Sequence, residues 1–557
     1  MRCAHVTLLS SLLLATVTAA CDHEYAKDDP RNPDAPRVYL TSPARGAVLG
    51  DVPVVAVTGR VVDADGDVDA VVVNGQTVPL ATDGSFALTV PVDAGVTLLR
   101  ATATDKGGHV GKQTQAVMAG ALTPVHTTVR DALQTRISDQ SFAAIARGTA
   151  GFIAEANLGE LIAPLNPVVR SGDSDGTDCL YAQAFAGAVD VQTAQMSLVP
   201  EAGGLQTELI LRGVTVPMHI VYAISCIDSE SDVVATASEV RIRGKLRMGV
   251  RNGAFDIAFD NPDVTMQNLQ LDMAGVPGRI VNMLALDRAL GSVLGYAAEK
   301  FIVPSINQSL AGLTGTTDVM LLGKTVTIQV TPAAIDIDAA GAMVRLNSLF
   351  KVEGDEAGQG FVYTPNATLG LSNEAMALAV ADDALNQLFG AAWASGLMNQ
   401  DLDLTTGEYG SVGQLFNRIQ TDGRLPLWVA AREGGLAITV GDLLARFTSD
   451  GTTVTAAAIN GTVGVKVEAA ATGELRLAVT APEILVDVLD SADGVSGTNA
   501  LSNAQFEALV SFGASRAVGL VTGALGTVPL PSFGGVSVRD VSVDGADGFV
   551  VVRGRLQ

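Results

Sequence analysis

The residues of this chain that could do chemistry are few and scattered. Asp63, Asp65, Asp67 and Asp69 stand at alternate positions around Gly66. Carboxylates at that spacing can wrap a Ca²⁺ ion with oxygen ligands. A helix-loop-helix calcium loop would also need a glutamate further on and a helix on each side. Here the strand-like Val71-Val72-Val73 follows almost at once. An aspartate-rich turn is therefore the preferred reading, with calcium as the alternative. Gly172-Asp173-Ser174-Asp175-Gly176 matches Gly-x-Ser-x-Gly. A nucleophile elbow needs a strand before it and a helix after it, but polar residues flank this one and Thr177-Asp178-Cys179 leads into strands. Gly323-Lys324-Thr325 ends like a phosphate-binding loop, yet Asp318 occupies the place of its first glycine. His5 and His23 lie in the first residues, and His109, His126 and His219 stand apart from one another. Neither a histidine-based triad nor a metal cluster is expected. The expectation is a protein that is not an enzyme and carries no cofactor.

The four cysteines say more about compartment than about catalysis. Arg2, the apolar run Val6–Val17 and the small residues Thr18-Ala19-Ala20 form an export signal over residues 1–20. The run is too short to span a bilayer. Followed by Cys21, it resembles a bacterial lipoprotein signal, in which Cys21 would be diacylated and become the mature N-terminus. Thr18 departs from that pattern, where Leu is usual, and ordinary secretion is the alternative. Export leaves Cys179 and Cys226 as an even pair, which reads as a disulfide, with two buried thiols as the alternative. Closing a loop of that length contributes about 4 kcal/mol by chain entropy.

The 557 residues carry a formal charge of −24, with 59 glycines and only 4% aromatics. So acidic a chain repels nucleic acid and anionic membrane surfaces, so neither is expected as a general partner. Abundant Val, Ala, Thr and Gly favour many strands with frequent turns.

The elements follow in order. Residues 21–36 are charged and proline-bearing and read as a flexible tether. Residues 37–118 alternate short apolar runs with turns, among them Asn74-Gly75, a strong hairpin signal. This stretch is similar to the immunoglobulin-like domains that bacteria place on exported proteins. Two halves then repeat one grammar: an early helix, a block of strands and a long late helix. In the first half the late helical tract spans 275–313, with Pro304 expected to kink it. In the second half it spans 502–523. The stretch Leu369–Leu404 reads as a strand feeding a helix, with Asp382 as N-cap, Asp383 near the positive end and Gly396 as a left-handed stop. Leu385, Leu388, Phe389, Ala392, Trp393 and Leu397 recur at three- and four-residue spacing and form one apolar face.

Four places carry a resemblance to the family of bactericidal/permeability-increasing protein and lipopolysaccharide-binding protein, within the tubular lipid-binding superfamily. They are Arg136–Phe142 leading into a helix, the pair Cys179 and Cys226, the strand-to-helix passage Leu378–Leu397, and the C-terminal Leu525–Leu556 with Val528-Pro529-Leu530-Pro531. The resemblance implies an α+β fold. Two pseudo-symmetric barrels of curved antiparallel sheet would wrap on long helices and be joined by a central sheet, behind the N-terminal all-β immunoglobulin-like sandwich. The first barrel would occupy 122–313, the central connection 314–370, and the second barrel, with strands returning to the central sheet, 371–557. The resemblance further implies acyl-chain pockets in the barrels. Ile280, Leu284, Leu385, Leu388, Phe389 and Trp393 are the expected lining, lipid the expected partner, and an anchored lipoprotein of the bacterial cell envelope the expected setting. A non-enzymatic surface interaction protein with fully packed barrels is the alternative. The chain lacks the cationic tip of members that bind lipopolysaccharide. Its one basic run, Arg241, Arg243, Lys245 and Arg247, alternates along a strand and reads as a solvated outer face.

Overall fold

The computed structural model describes residues 26–28, 32–155, 162–172, 179–311, 313–321, 323–371, 376–406, 413, 416–469, 474–480, 482–489, 508–510, 527–529, 538–546 and 548–556. The export signal, Cys21, the Gly-x-Ser-x-Gly serine and nearly all of the expected late helix 502–523 lie outside these residues.

The N-terminal unit is a sandwich. One sheet holds Arg37–Ser42, Val54–Val62 and Ser85–Pro91; the other is built mainly on Gly95–Asp105 and Val110–Ala119. Alternating residues such as Val57, Val73, Phe86, Leu99 and Val117 meet between the sheets. This is how a period of two buries one face of each strand.

The central sheet is antiparallel and seven-stranded. Its order is Gly315–Leu321, Lys324–Asp338, Gly341–Val352, Val129–Ser138, Met376–Ala381, Phe549–Leu556, Val538–Ala546. At its middle the two strands that open the halves lie side by side, with Leu133 opposite Val380 and Arg136 opposite Ala377. Each runs straight into a helix that starts on an aspartate, Asp139–Glu155 and Asp382–Ala394. The two strand-to-helix passages are thus related by a pseudo-two-fold about this strand pair.

On either side stands a curled sheet. The first is dominated by Gly204–Ile224 and Ile227–Arg251, strands of 21 and 25 residues paired from Gly204 opposite Arg247 to Ile224 opposite Ile227. Strands this long must coil to bury one face. They wrap on the helices Asp139–Glu155 and Leu286–Ala311 over the largest apolar core among the described residues. The disulfide Cys179–Cys226 closes the far end of this sheet. The second curled sheet centres on Gly435–Ser449 and Thr452–Ala469. The architecture is therefore α+β: a sandwich, and two curled sheets on helices joined through a central sheet.

Two local expectations are corrected. The first-half helical tract breaks at Ala285, with φ +40°, into Gly278–Leu284 and Leu286–Ala311, and Pro304 lies within the second helix. An unbroken helix would set Leu284 and Leu286 on nearly opposite faces, whereas the break lets both bury. Asp382 is the first helical residue and Ala381 the N-cap, in extended conformation with no side-chain cap. Gly396 does take the left-handed conformation, with φ +74°.

The sandwich is docked on the second curled sheet. Arg45 donates to the carboxylate of Asp442 at 2.7 Å, to the carbonyl of Thr114 at 2.7 Å and to Asp487. Fully buried Asp442 also accepts from the amides of Gly46 at 3.1 Å and Ala116 at 2.7 Å. Asn460, likewise buried, receives the amide of Asp442 and donates to Thr114. Met118, Val362 and Leu425 fill the apolar part of this joint. A Cβ at Gly95 would fall inside the Trp428 ring, so only glycine allows the approach.

Candidate functional site

The candidate site is the seam between the first curled sheet and its helices. Leu294, Ala297, Ala298 and Phe301 stand at three- and four-residue spacing and form one face of the helix Leu286–Ala311. Leu209 and Leu211 share a face of their strand, and the register sets Leu209 opposite Ile242 on the next. Together with Ile153 and Ile162 they enclose a cavity of about 20 Å³ to which no polar surface contributes. That is room for about one water-sized body, and a void with no polar partner stays dry. The two alanines create it, since larger residues at their positions would close the gap.

The six residues expected to line acyl pockets are placed as follows. Ile280 and Leu284 are fully buried in the same core, on the helix against Leu180–Ala186, and do not border the cavity. Leu385, Leu388, Phe389 and Trp393 lie on the half-buried face of Asp382–Ala394. The face turned fully inward carries Ala384, Asn386, Gln387, Gly390 and Ala391 instead. Small and polar residues win that position because the helix is clamped between the central sheet and Trp428–Arg432. Gln387 accepts from the Phe350 amide at 2.9 Å and donates to the carbonyls of Val125, at 3.0 Å, and Thr127. Asn386 pairs with both backbone groups of Val429, at 2.8 and 3.0 Å. Trp393 donates its indole N–H to Gly423 at 2.8 Å, and Leu388 packs near Val326, Val352 and Leu397. Leu294, Ala297 and Phe301 belong to the apolar pattern of the tract 275–313, yet no seam residue is among the expected lining; their signal is the 294/297/298/301 spacing. It is masked by two alanines that look like filler.

The start of this helix holds an acid pair. The Asp383 carboxyl is buried; one oxygen accepts from Thr364 at 3.3 Å and the other has no partner among the described residues. Burial first, and then the charge of Asp382, push Asp383 up to about 7. Asp382 is also raised by burial, against a 2.8 Å hydrogen bond from the Ala431 amide.

The aspartate-rich turn has a different membership from the sequence pattern. Asp63 and Asp67 come together with Asp105, one carboxylate oxygen of each lying within 4.8 Å of the others. Asp65 and Asp69 stand outside this group. Asp105 is already engaged by the His109 amide and ring, each at 2.8 Å, and Asp63 accepts from the Asp67 amide at 2.9 Å. The basic run is neutralised in place. Arg241 and Arg243 meet Glu208, Lys245 meets Glu201, and Arg247 meets Asp260. Among the described residues no helix is long and apolar enough to cross a membrane.

Residues 36–120 match the family described as glucodextranase, domain B. No curated protein matches the chain in sequence. Among solved structures the chain is similar to lipopolysaccharide binding protein, at 14% identity and a TM-score of 0.41 over 76% of this chain and 98% of that one. It is also similar to P47 of Clostridium botulinum E1, at 9% identity and a TM-score of 0.24 over 77% and 100%. Latherin matches at 17% identity and a TM-score of 0.17 over 30% and 81%.

Proposed function

We propose that the first half of this protein binds the acyl chains of a lipid between its helices and its curled sheet. The observation that carries the reading is the wholly apolar cavity at that seam. The side chains lining the cavity are apolar on both sides, so a parting of helix and sheet breaks no hydrogen bond there. An entering acyl chain then packs against both walls and contributes roughly 0.8 kcal/mol for each methylene removed from water. In this reading Leu294, Ala297, Ala298 and Phe301 face the chain, and the half-buried stripe Leu385, Leu388, Phe389 and Trp393 is the corresponding surface in the second half. We further propose that Cys21 is diacylated and anchors the protein in a bacterial cell envelope; the reading is supported by the apolar run Val6–Val17 and the small residues Thr18-Ala19-Ala20 before Cys21.

Native mass spectrometry and solvent extraction of the purified protein test the proposal. Co-purifying acyl lipid is expected. Ala298→Val fills the cavity and is expected to lower lipid occupancy severalfold while changing stability by less than about 1.5 kcal/mol. A protein that is lipid-free and also fails to take up a fluorescent fatty acid would sink the idea. The anchor has its own readout: Cys21→Ser should abolish palmitate labelling and release the protein from membranes.

One observation favours a second reading. The cavity, at about 20 Å³, is far smaller than an acyl chain. A protein whose barrels are fully packed, and which works through its surface as a non-enzymatic interaction module, accounts for that size directly. Lipid uptake separates the two readings.

A further inference from the structure

A second hollow, of about 390 Å³, opens where three parts of the first half meet. They are the hairpin tip at Gly253–Phe255, the last turns of the helix Leu286–Ala311, and the two outer strands of the central sheet. Its volume is in the range of small-molecule sites, and junctions between structural units are where such sites tend to form. The register sets Thr316 opposite Gln329 and Gly315 opposite Val330. A Cβ added at Gly315 or at Gly253 would meet nothing within 4 Å, so the glycines leave the space open.

The lining has an unusual chemistry for so acidic a chain: none of its residues is charged. Asn307, Thr314, Thr316, Gln329 and Thr331 bring amides and hydroxyls, and among the described residues none of these five side chains is committed to a hydrogen bond. Phe255 and Pro332 add apolar surface. An anionic ligand would find no cation here to offset its desolvation, and a cationic one no carboxylate. Amides and hydroxyls beside an aromatic ring match a ligand that is neutral, rich in hydroxyl groups and apolar on one face.

We infer that this cleft is a binding site for a neutral sugar ring, either free or carried as the headgroup of a glycolipid. Asn307 and Gln329 supply paired donors and acceptors to ring hydroxyls, and Phe255 and Pro332 cover the C–H face of the ring. The inference is independent of the acyl-chain reading, because the residues of the two hollows do not overlap.

Saturation-transfer NMR on the full chain tests it with three probes: maltose, octyl glucoside below its micelle concentration, and glucose 6-phosphate. Transfer to at least one of the neutral probes and none to the phosphate is expected. The double variant Asn307→Ala/Gln329→Ala should weaken binding by about fivefold or more with an unchanged circular dichroism spectrum. Thr316→Trp, which fills the cleft, should abolish it. Maltose binding identifies a free glycan, whereas binding of octyl glucoside alone, lost in the double variant, identifies a lipid-borne one. Ala298→Val should leave maltose binding intact, which separates this site from the acyl seam. Three results would overturn the inference: no transfer to either neutral sugar, equal transfer to the phosphate, or octyl glucoside binding that both cleft variants leave unchanged.

Discussion

Among the described residues, Asp383 has the carboxyl pushed furthest from its ordinary range. Its carboxyl is raised from 3.8 to about 7 by burial and by Asp382. Between those values the folded protein holds a proton that the unfolded chain has released, so stability falls as pH rises through that window. Replacing Asp383 with Asn removes the ionisation and keeps the shape. The variant should gain on the native protein as pH climbs from 4.5 to 7.5, by roughly 1–3 kcal/mol in urea midpoints. A difference that stays flat across that range would refute the assignment. Arg45 is held in a buried joint between two carboxylates. Its truncation strands Asp442 and Asp487 in a buried joint, at a cost of about 3–5 kcal/mol in stability. The exposed pair Arg100–Glu483, which spans the same two units, is the control. Arg100→Ala should shift stability by less than about 1 kcal/mol.

At the scale of elements, the helix Asp382–Ala394 shows why an apolar stripe does not by itself decide orientation. Four large apolar residues at helical spacing predicted the inward face. The chain instead turns in Asn386 and Gln387, because the strands holding Phe350 and Val429 and the turn at Val125–Thr127 present backbone groups that need partners. Gln387→Leu would leave the Phe350 amide and the carbonyls of Val125 and Thr127 unsatisfied. Calorimetry should then record a loss of about 2–4 kcal/mol. The disulfide acts at the same scale. Cys179 and Cys226 are 47 residues apart and close the far end of the first curled sheet. A Cys179→Ser/Cys226→Ser variant should lose about 4 kcal/mol in denaturant unfolding if the loop-closure account holds. Hydrogen exchange should rise chiefly in Leu180–Ala186 and Gly204–Ile224, the strands nearest the bridge.

For the molecule as a whole, the N-terminal sandwich is an integral part and not a spacer. It precedes the first half in sequence, yet it docks on the second curled sheet through Arg45, Asp442, Asp487 and Asn460. Asp442 sits at a left-handed residue where the pairing of Gly435–Ser449 with Thr452–Ala469 shifts register. The docking therefore bears on the irregular part of that sheet. Releasing it with Arg45→Ala should loosen 435–469 selectively in hydrogen exchange and leave the first curled sheet protected.

Period, turn chemistry and cysteine number were enough for the sequence to determine the class of each part. Alternating valines pointed to the sandwich, matched strand-then-helix passages pointed to two related halves, and the pair Cys179 and Cys226 pointed to the bridge that the structure contains. These are local or counting properties, and local physics sets them. The tertiary structure decided what depends on distant partners. It chose Asp105 as the companion of Asp63 and Asp67, turned Asn386 and Gln387 inward, and paired every member of the basic run with an acid. It also placed the apolar hollow behind two alanines and the neutral cleft where three units meet. Each outcome depends on which strand edges and side chains arrive from elsewhere in the chain, and spacing along one segment does not carry that information.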